Sequence, residues 1–249
     1  MWFGIVTLLP EMFASLQSGV TGRAIRENKL EMAYWNPRDF AEGSYKKVDD
    51  RPYGGGPGML MMAQPLQSAI QAARKASPGA RSTVVYLSPQ GKRFDQQAAS
   101  NLHDKKNVIL VAGRYEGIDE RLFAHDIDEE WSIGDYVLSG GELAAMVMID
   151  AIARLIPGVL GHEDSAAEDS LSAGLLKYPQ YTRPESFQDA RVPDILLSGH
   201  HEDIARWRLK QSLGSTWSKR PDLLNKLTLN EIEIALLNEF IREKEISNE

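Results

Sequence analysis

The chain has 249 residues, 43% hydrophobic and 25% charged, with a net charge of −7. That length accommodates one large domain or two modest ones, and the composition is that of an ordinary globular protein. The absence of cysteine excludes disulfides, thiol catalysis and cysteine-ligated metal, and the acidic balance argues against nonspecific coating of nucleic acid.

Residues 2–8 read as a buried first strand. They are apolar but short, have no basic leader and end at Pro10 and Glu11, so a signal peptide fits less well. No apolar run reaches membrane-spanning length, and a cytoplasmic location is the default expectation. Residues 10–16 carry Met12, Phe13 and Leu16 at helical spacing, with Gly19 and Gly22 as stops. A second strand is expected over 30–35. The run 49–59 holds four Gly and two Pro and cannot be helix or central strand. It is either a plain surface loop or a shaped loop whose N–H groups and Arg51 meet an anion.

A helix follows over 64–75, with Leu66, Ile70 and Ala73 facing inward. Next come a short strand over 84–87, a turn over 88–91, a helix over 95–102 and the central strand 108–112. The alternation predicts an α/β domain with a parallel sheet, in which ligands sit beyond the carboxyl ends of the strands. Three turns leave extended segments in that sense: 88–91, 113–117 and 133–141. They offer backbone groups, Tyr115, Tyr136 and Glu116, and few cations. That lining suits a neutral or zwitterionic ligand with adenine and amino acid ends, and not a triphosphate, which calls for Lys or Arg.

Residues 142–155 read as a long helix, apolar nearly all round, that packs on both sides in the core or at a subunit interface. Arg154 near its end complements the helix dipole in the plainest reading. Residues 161–176 are small and acidic without periodicity, which predicts a flexible interdomain linker. Beyond it, 204–213 and 225–246 read as helices of a small domain. Charge is uneven: residues 115–170 carry −12 and the remainder +5. A polyanionic partner therefore fits if it lies mainly on the other parts. Neither a dinucleotide-binding glycine motif nor a phosphate-binding Gly-Lys-Ser/Thr loop occurs, and the five His lack zinc-site spacing. His200-His201 is a polar helix start or a contact to phosphate or base.

Specific identity comes from longer blocks. Gly113-Arg114-Tyr115-Glu116-Gly117-Ile118-Asp119-Glu120-Arg121 is followed by Ser132-Ile133-Gly134-Asp135-Tyr136-Val137-Leu138-Ser139-Gly140-Gly141-Glu142. Together with the blocks at 50–59, 88–91, 178–184 and 197–202, this resembles the bacterial tRNA (guanine-N1)-methyltransferases of the SPOUT superfamily. The resemblance implies a deep trefoil-knot domain over 1–160, the linker over 161–176 and a helical tRNA-binding domain over 177–249. It implies an obligate homodimer with the active site at the subunit interface. The reaction implied is transfer of a methyl group from S-adenosyl-L-methionine to N1 of guanosine 37 of tRNA, in a G36-G37 context.

Carried over by motif, the cofactor contacts are Leu87, Ser88, Pro89, Gly113, Tyr115, Glu116, Gly117, Ile133, Gly134, Tyr136, Leu138, Gly140 and Gly141. Asp169 is the general base, supported by Ser170, and Arg154 donates to O6. Arg183, His200, His201, Arg206, Arg208 and Lys210 are candidate RNA contacts. No residue is assigned to a metal, although the acidic segment could recruit a divalent cation. The rival readings are another SPOUT RNA methyltransferase, acting on a ribose hydroxyl or rRNA, and a noncatalytic RNA-binding dimer.

Overall fold

A computed structural model describes residues 1–79, 81–160, 169–171 and 174–248. The chain divides into two compact units, Met1–Glu163 and Asp164–Glu249. Much of the expected linker at 161–176 lies outside the described residues.

The first unit is α/β. In chain order it has β1 (Trp2–Val6), α1 (Gly19–Arg26), β2 (Glu31–Trp35), a ribbon of β3 (Asp49–Asp50) and β4 (Leu60–Met61), then α2 (Ala63–Ala76). It continues with β5 (Thr83–Arg93), α3 (Gln96–Asp104), β6 (Asn107–Val111), β7 (Glu129–Ser132) and α4 (Glu142–Ala153). Five strands form one sheet in the order β2-β1-β6-β5-β7, every pair parallel.

The central strands β1 and β6 and the first half of β5 read as continuous apolar runs because both sheet faces are covered there. Phe3, Ile5, Val85, Leu87, Val108 and Leu110 join one core cluster, shared with residues of α1, α3 and α4. Their neighbours Trp2, Val6, Val84, Tyr86, Ile109 and Val111 join a second, shared with α2. This is the two-residue alternation of a strand. Each fully buried Ile or Leu contributes about 1.5–3 kcal/mol, so Leu110→Ala costs about 2–5 kcal/mol.

Several local expectations change. The first helix is a 3-10 helix at Pro10–Gln17 that ends just before Gly19, which takes φ +63°, but Gly22 is no stop; it lies within α1. A Cβ on Gly22 would stand 1.9 Å from the Gln17 carbonyl oxygen, so this glycine permits close approach. The turn at 88–91 does not end its strand. It bulges out of β5, since both Leu87 and Lys92 pair with Trp131 across β7. Strand β7 itself was not anticipated. Its Glu129-Glu130-Trp131-Ser132 sequence lacks apolar alternation, as an edge strand can. Helix α4 buries Ala145, Met148, Ile149 and Ile152, while Leu143 and Val147 stay 45% and 50% exposed in the single chain.

The second unit carries a hairpin of β8 (Ser186–Phe187) and β9 (Ala190–Arg191), and two main helices, His201–Lys219 and Glu231–Asn248. The hairpin had no sequence signal. The first helix is longer than its apolar pattern, because small residues form its contact face: a Cβ on Gly214 would meet Phe240 at 2.3 Å. The second starts later than expected. The Asn230 side chain accepts from the Glu233 N–H at 3.0 Å while Glu233 accepts from the Asn230 N–H at 2.8 Å, a reciprocal cap. Lys210 joins the two helices through Glu239 and Glu243, each at 2.8 Å. Among the described residues no helix is long and apolar enough to cross a membrane.

Candidate active site

Strands β5, β6 and β7 end on the same side of the parallel sheet, and the turns leaving them converge. The 113–117 turn follows β6. It is held to β4 by the Glu116 N–H donating to the Met59 carbonyl and the Met61 N–H donating to the Gly117 carbonyl, both at 2.9 Å. Tyr115 adopts φ +61° and Gly117 φ +125°. A left-handed tyrosine is strained, and such strain persists only where surrounding structure imposes it. The 133–141 segment follows β7. Gly134 takes φ +151° beneath the Tyr136 ring, and the Tyr136 hydroxyl donates to the Ile133 carbonyl at 3.3 Å.

The two turns meet. The Gly141 N–H donates to the Gly113 carbonyl at 2.9 Å, and Arg114 pairs with Gly140 as an antiparallel bridge. With the 87–90 bulge they enclose a cavity of about 450 Å³. All thirteen residues assigned to the cofactor line it: Leu87, Ser88, Pro89, Gly113, Tyr115, Glu116, Gly117, Ile133, Gly134, Tyr136, Leu138, Gly140 and Gly141. Among the described lining residues Arg114 is the one cation, against the carboxylates Glu116, Glu120 and Glu130. Tyr86 also lines it. Burial, helped by the charge of Glu130, pushes its phenol up to about 12, so it stays a neutral donor near pH 7.

Sequence reading missed the polar strut beneath this cavity. Glu142, at the first position of α4, is 1% exposed. It accepts from Thr7 Oγ1 at 3.0 Å and from Arg114 Nε at 3.1 Å, and Arg114 also donates to the Ser139 carbonyl at 3.2 Å. The available signal is a carboxylate directly after Gly140-Gly141 at a helix start. Much of the acidic segment over 115–170 is structural. Asp126 accepts from Gln67 at 2.7 Å, Asp128 pairs with Arg74 at 3.0 Å, Glu129 pairs with Lys105, and Asp150 accepts from Thr21 at 2.8 Å.

The remaining assigned residues are not among those lining this cavity. Arg154 caps the far end of α4. Asp169 belongs to the second unit, with Lys177 Nζ 3.6 Å from its carboxylate, while the Ser170 hydroxyl accepts from the Lys177 N–H at 3.0 Å. Arg183 and Arg208 line a second cavity, of about 610 Å³, with Tyr178 and Tyr181. The Arg208 guanidinium lies 4.9 Å over the Tyr178 ring. His200 is the N-cap of the helix that His201 begins. Arg206 pairs with Glu239 at 2.8 Å, and Lys210 is only 12% exposed between its two glutamates. Among the described residues no group of three or more His, Asp or Glu is placed to hold a metal ion.

The family model described as tRNA (Guanine-1)-methyltransferase TrmD matches residues 1–226. The chain belongs to this tRNA (guanine-1)-methyltransferase family. A curated tRNA (guanine-N(1)-)-methyltransferase of Sodalis glossinidius is 60% identical over 245 residues, covering 98% of this chain and 97% of that protein. The protein so described from Klebsiella pneumoniae is 59% identical over 241 residues, 96% and 94% of the two chains. That of Vibrio atlanticus is 56% identical over 245 residues, 98% and 99%. The similarity to these methyltransferases spans both compact units, and so covers the cavity-lining turns, Arg154 and Asp169 alike.

Proposed function

We propose that this chain transfers the methyl group of S-adenosyl-L-methionine to N1 of guanosine 37 in tRNA, next to a preceding G36. The observation that carries the reading is the convergence of the three turns on one cavity, in a member of this family. The cavity fits the cofactor. Its volume is that of a small-molecule site, glycines at 113, 117, 134, 140 and 141 let backbone approach a ligand, and its carboxylates suit a sulfonium and an α-ammonium group. Arg114, the one cation among the described lining residues, is already paired with Glu142.

When bound, S-adenosyl-L-methionine supplies an electrophilic methyl group on sulfur. The chain's own residues have the harder task, because guanine N1 carries a proton and is a poor nucleophile. Asp169 takes that proton as general base. Arg154 donates to O6, where charge grows as the proton leaves. The three turns hold the reacting groups in line, which contributes through proximity.

In this reading the enzyme is a homodimer. Thirteen residues of helical rise separate Gly141 from Arg154, roughly 20 Å. Within one subunit Arg154 thus stands far from the cavity that α4 begins beside. A two-fold axis packing α4 against its copy would bring it to the partner's cavity. The exposed apolar residues Leu143, Val147 and Val137 support such an interface. The first unit is read as a deep trefoil knot, supported by the return of 133–141 against 112–114. The second unit is read as the tRNA-binding domain, with Arg183, Arg206, Arg208, His200 and His201 toward the anticodon arm. The test is single-turnover methylation of a tRNA transcript ending its anticodon in G36 before G37. Transfer from labelled S-adenosyl-L-methionine is expected, and binding of both ligands without transfer would overturn the reading.

A further inference from the structure

We infer that the pair of half-buried Arg114 and buried Glu142 is a positioning strut that sets the spacing between two of the cavity's turns, and with it the affinity for S-adenosyl-L-methionine. This rests on the cofactor reading of the cavity. Glu142 does not line the cavity, and its neighbours there are protein groups. Its Oε1 accepts from Thr7, at the end of β1, and from Arg114 on the 113–117 turn; its Oε2 lies 3.0 Å from Arg114 Nε. Arg114 reaches on to the Ser139 carbonyl of the 133–141 segment. One pair thus ties the sheet, both turns and the start of α4.

The packing leaves no slack for the strut to shift. A Cβ on Gly140 would stand 2.5 Å from both Arg114 Nε and Glu142 Oε2, and one on Gly141 would stand 2.8 Å from the Ala112 Cα. A buried ion pair is a weak source of net stability, since an apolar pair of similar volume often serves as well. What it adds here is direction. The guanidinium's planar fork fixes the Ser139 carbonyl relative to the Glu142 carboxylate, and so the two turns relative to each other. The α4 N-terminus favours the carboxylate in that place.

The test is calorimetric titration of the full-length protein with S-adenosyl-L-methionine, alongside steady-state kinetics. Glu142→Gln keeps size and an acceptor for Thr7 but leaves the guanidinium uncompensated. Its Kd and KM for the cofactor are expected to rise about tenfold or more, with kcat at saturation and KM for tRNA within about threefold. Arg114→Gln should behave alike, and the double variant R114Q/E142Q should be no weaker than the worse single variant, because the pair acts as a unit. If Glu142→Gln does not fold, the double variant, which buries no lone charge, carries the test by the same criterion. A folded Glu142→Gln or double variant with wild-type cofactor affinity would overturn the strut, as would additive effects of the two substitutions. Wild-type protein that bound no S-adenosyl-L-methionine would overturn the cofactor reading itself and the strut with it.

Discussion

Gly141 donates its N–H to the carbonyl of Gly113 at 2.9 Å, where two separate stretches of sequence meet beside the cavity. This bond requires a residue without a side chain, because a Cβ on Gly141 would lie 2.8 Å from the Ala112 Cα and 3.1 Å from the Gly113 nitrogen. Backbone on a central strand cannot retreat. Gly141→Ala is therefore expected to cost about 1–3 kcal/mol of stability and to weaken cofactor binding about tenfold or more. Thermal melts and calorimetry check both, and a wild-type affinity would show that the two turns need not touch.

Neither Asp169 nor Arg154 is among the residues that line the cavity, so their loss should separate chemistry from cofactor binding. Asp169→Ala and Arg154→Ala are each expected to slow single-turnover methyl transfer by about 10²–10⁴-fold. Cofactor affinity should stay within about twofold of wild type. A near-wild-type rate for Asp169→Ala removes it as the base.

If Arg154 serves the partner's cavity, activity can be rebuilt from two impaired chains, assayed at a cofactor concentration well below the weakened Kd of Gly141→Ala. Mixing Arg154→Ala subunits with Gly141→Ala subunits leaves one intact site in each mixed dimer, and random exchange should restore about a quarter of wild-type activity. No recovery after verified subunit exchange would place Arg154 and the cofactor in the same subunit.

The sequence showed the site more clearly than the architecture around it. The glycine-bracketed turns at 113–117 and 133–141 announce close backbone approach by residue type alone, and apolar runs such as 108–112 announce buried strands. Glu142 was hidden because a buried carboxylate and a solvated one look alike in sequence; only its meeting with Thr7, 135 residues away, distinguishes them. Strand β7 was hidden because it pairs with β5, about forty residues back in the chain, on both sides of the bulge, and no local pattern records a long-range edge pairing. Gly22 misled for a related reason: the group it makes room for, the Gln17 carbonyl, belongs to the preceding turn.

Lys210 should act on stability more than on RNA. Burial works against its charge, but hydrogen bonds to Glu239 and Glu243 outweigh this and raise its pKa above the ordinary lysine value; the bond to Lys210 chiefly lowers that of Glu239. A depressed carboxylate stabilises above its unfolded pKa and loses that contribution as pH falls through the folded one; a raised lysine loses its contribution only as pH rises through its own. Lys210→Met is thus expected to lower stability by about 1 kcal/mol near pH 7, since the glutamates are partly exposed. The deficit should shrink as pH falls below the ordinary glutamate range. A deficit independent of pH in thermal melts would show that packing alone is lost.

Arg208, stacked on Tyr178, is the cation to test for RNA contact. Arg208→Ala should weaken tRNA binding and reduce the slope of log K against log salt by about one phosphate contact. An unchanged slope removes it from the interface.

The most direct measurement maps the modified nucleoside. A tRNA transcript carrying G36-G37 is incubated with the protein and S-adenosyl-L-methionine, digested, and analysed by mass spectrometry. The account predicts N1-methylguanosine at position 37 and none when G37 is replaced by adenosine. A ribose-methylated nucleoside, or N1-methylguanosine at another position, would contradict it.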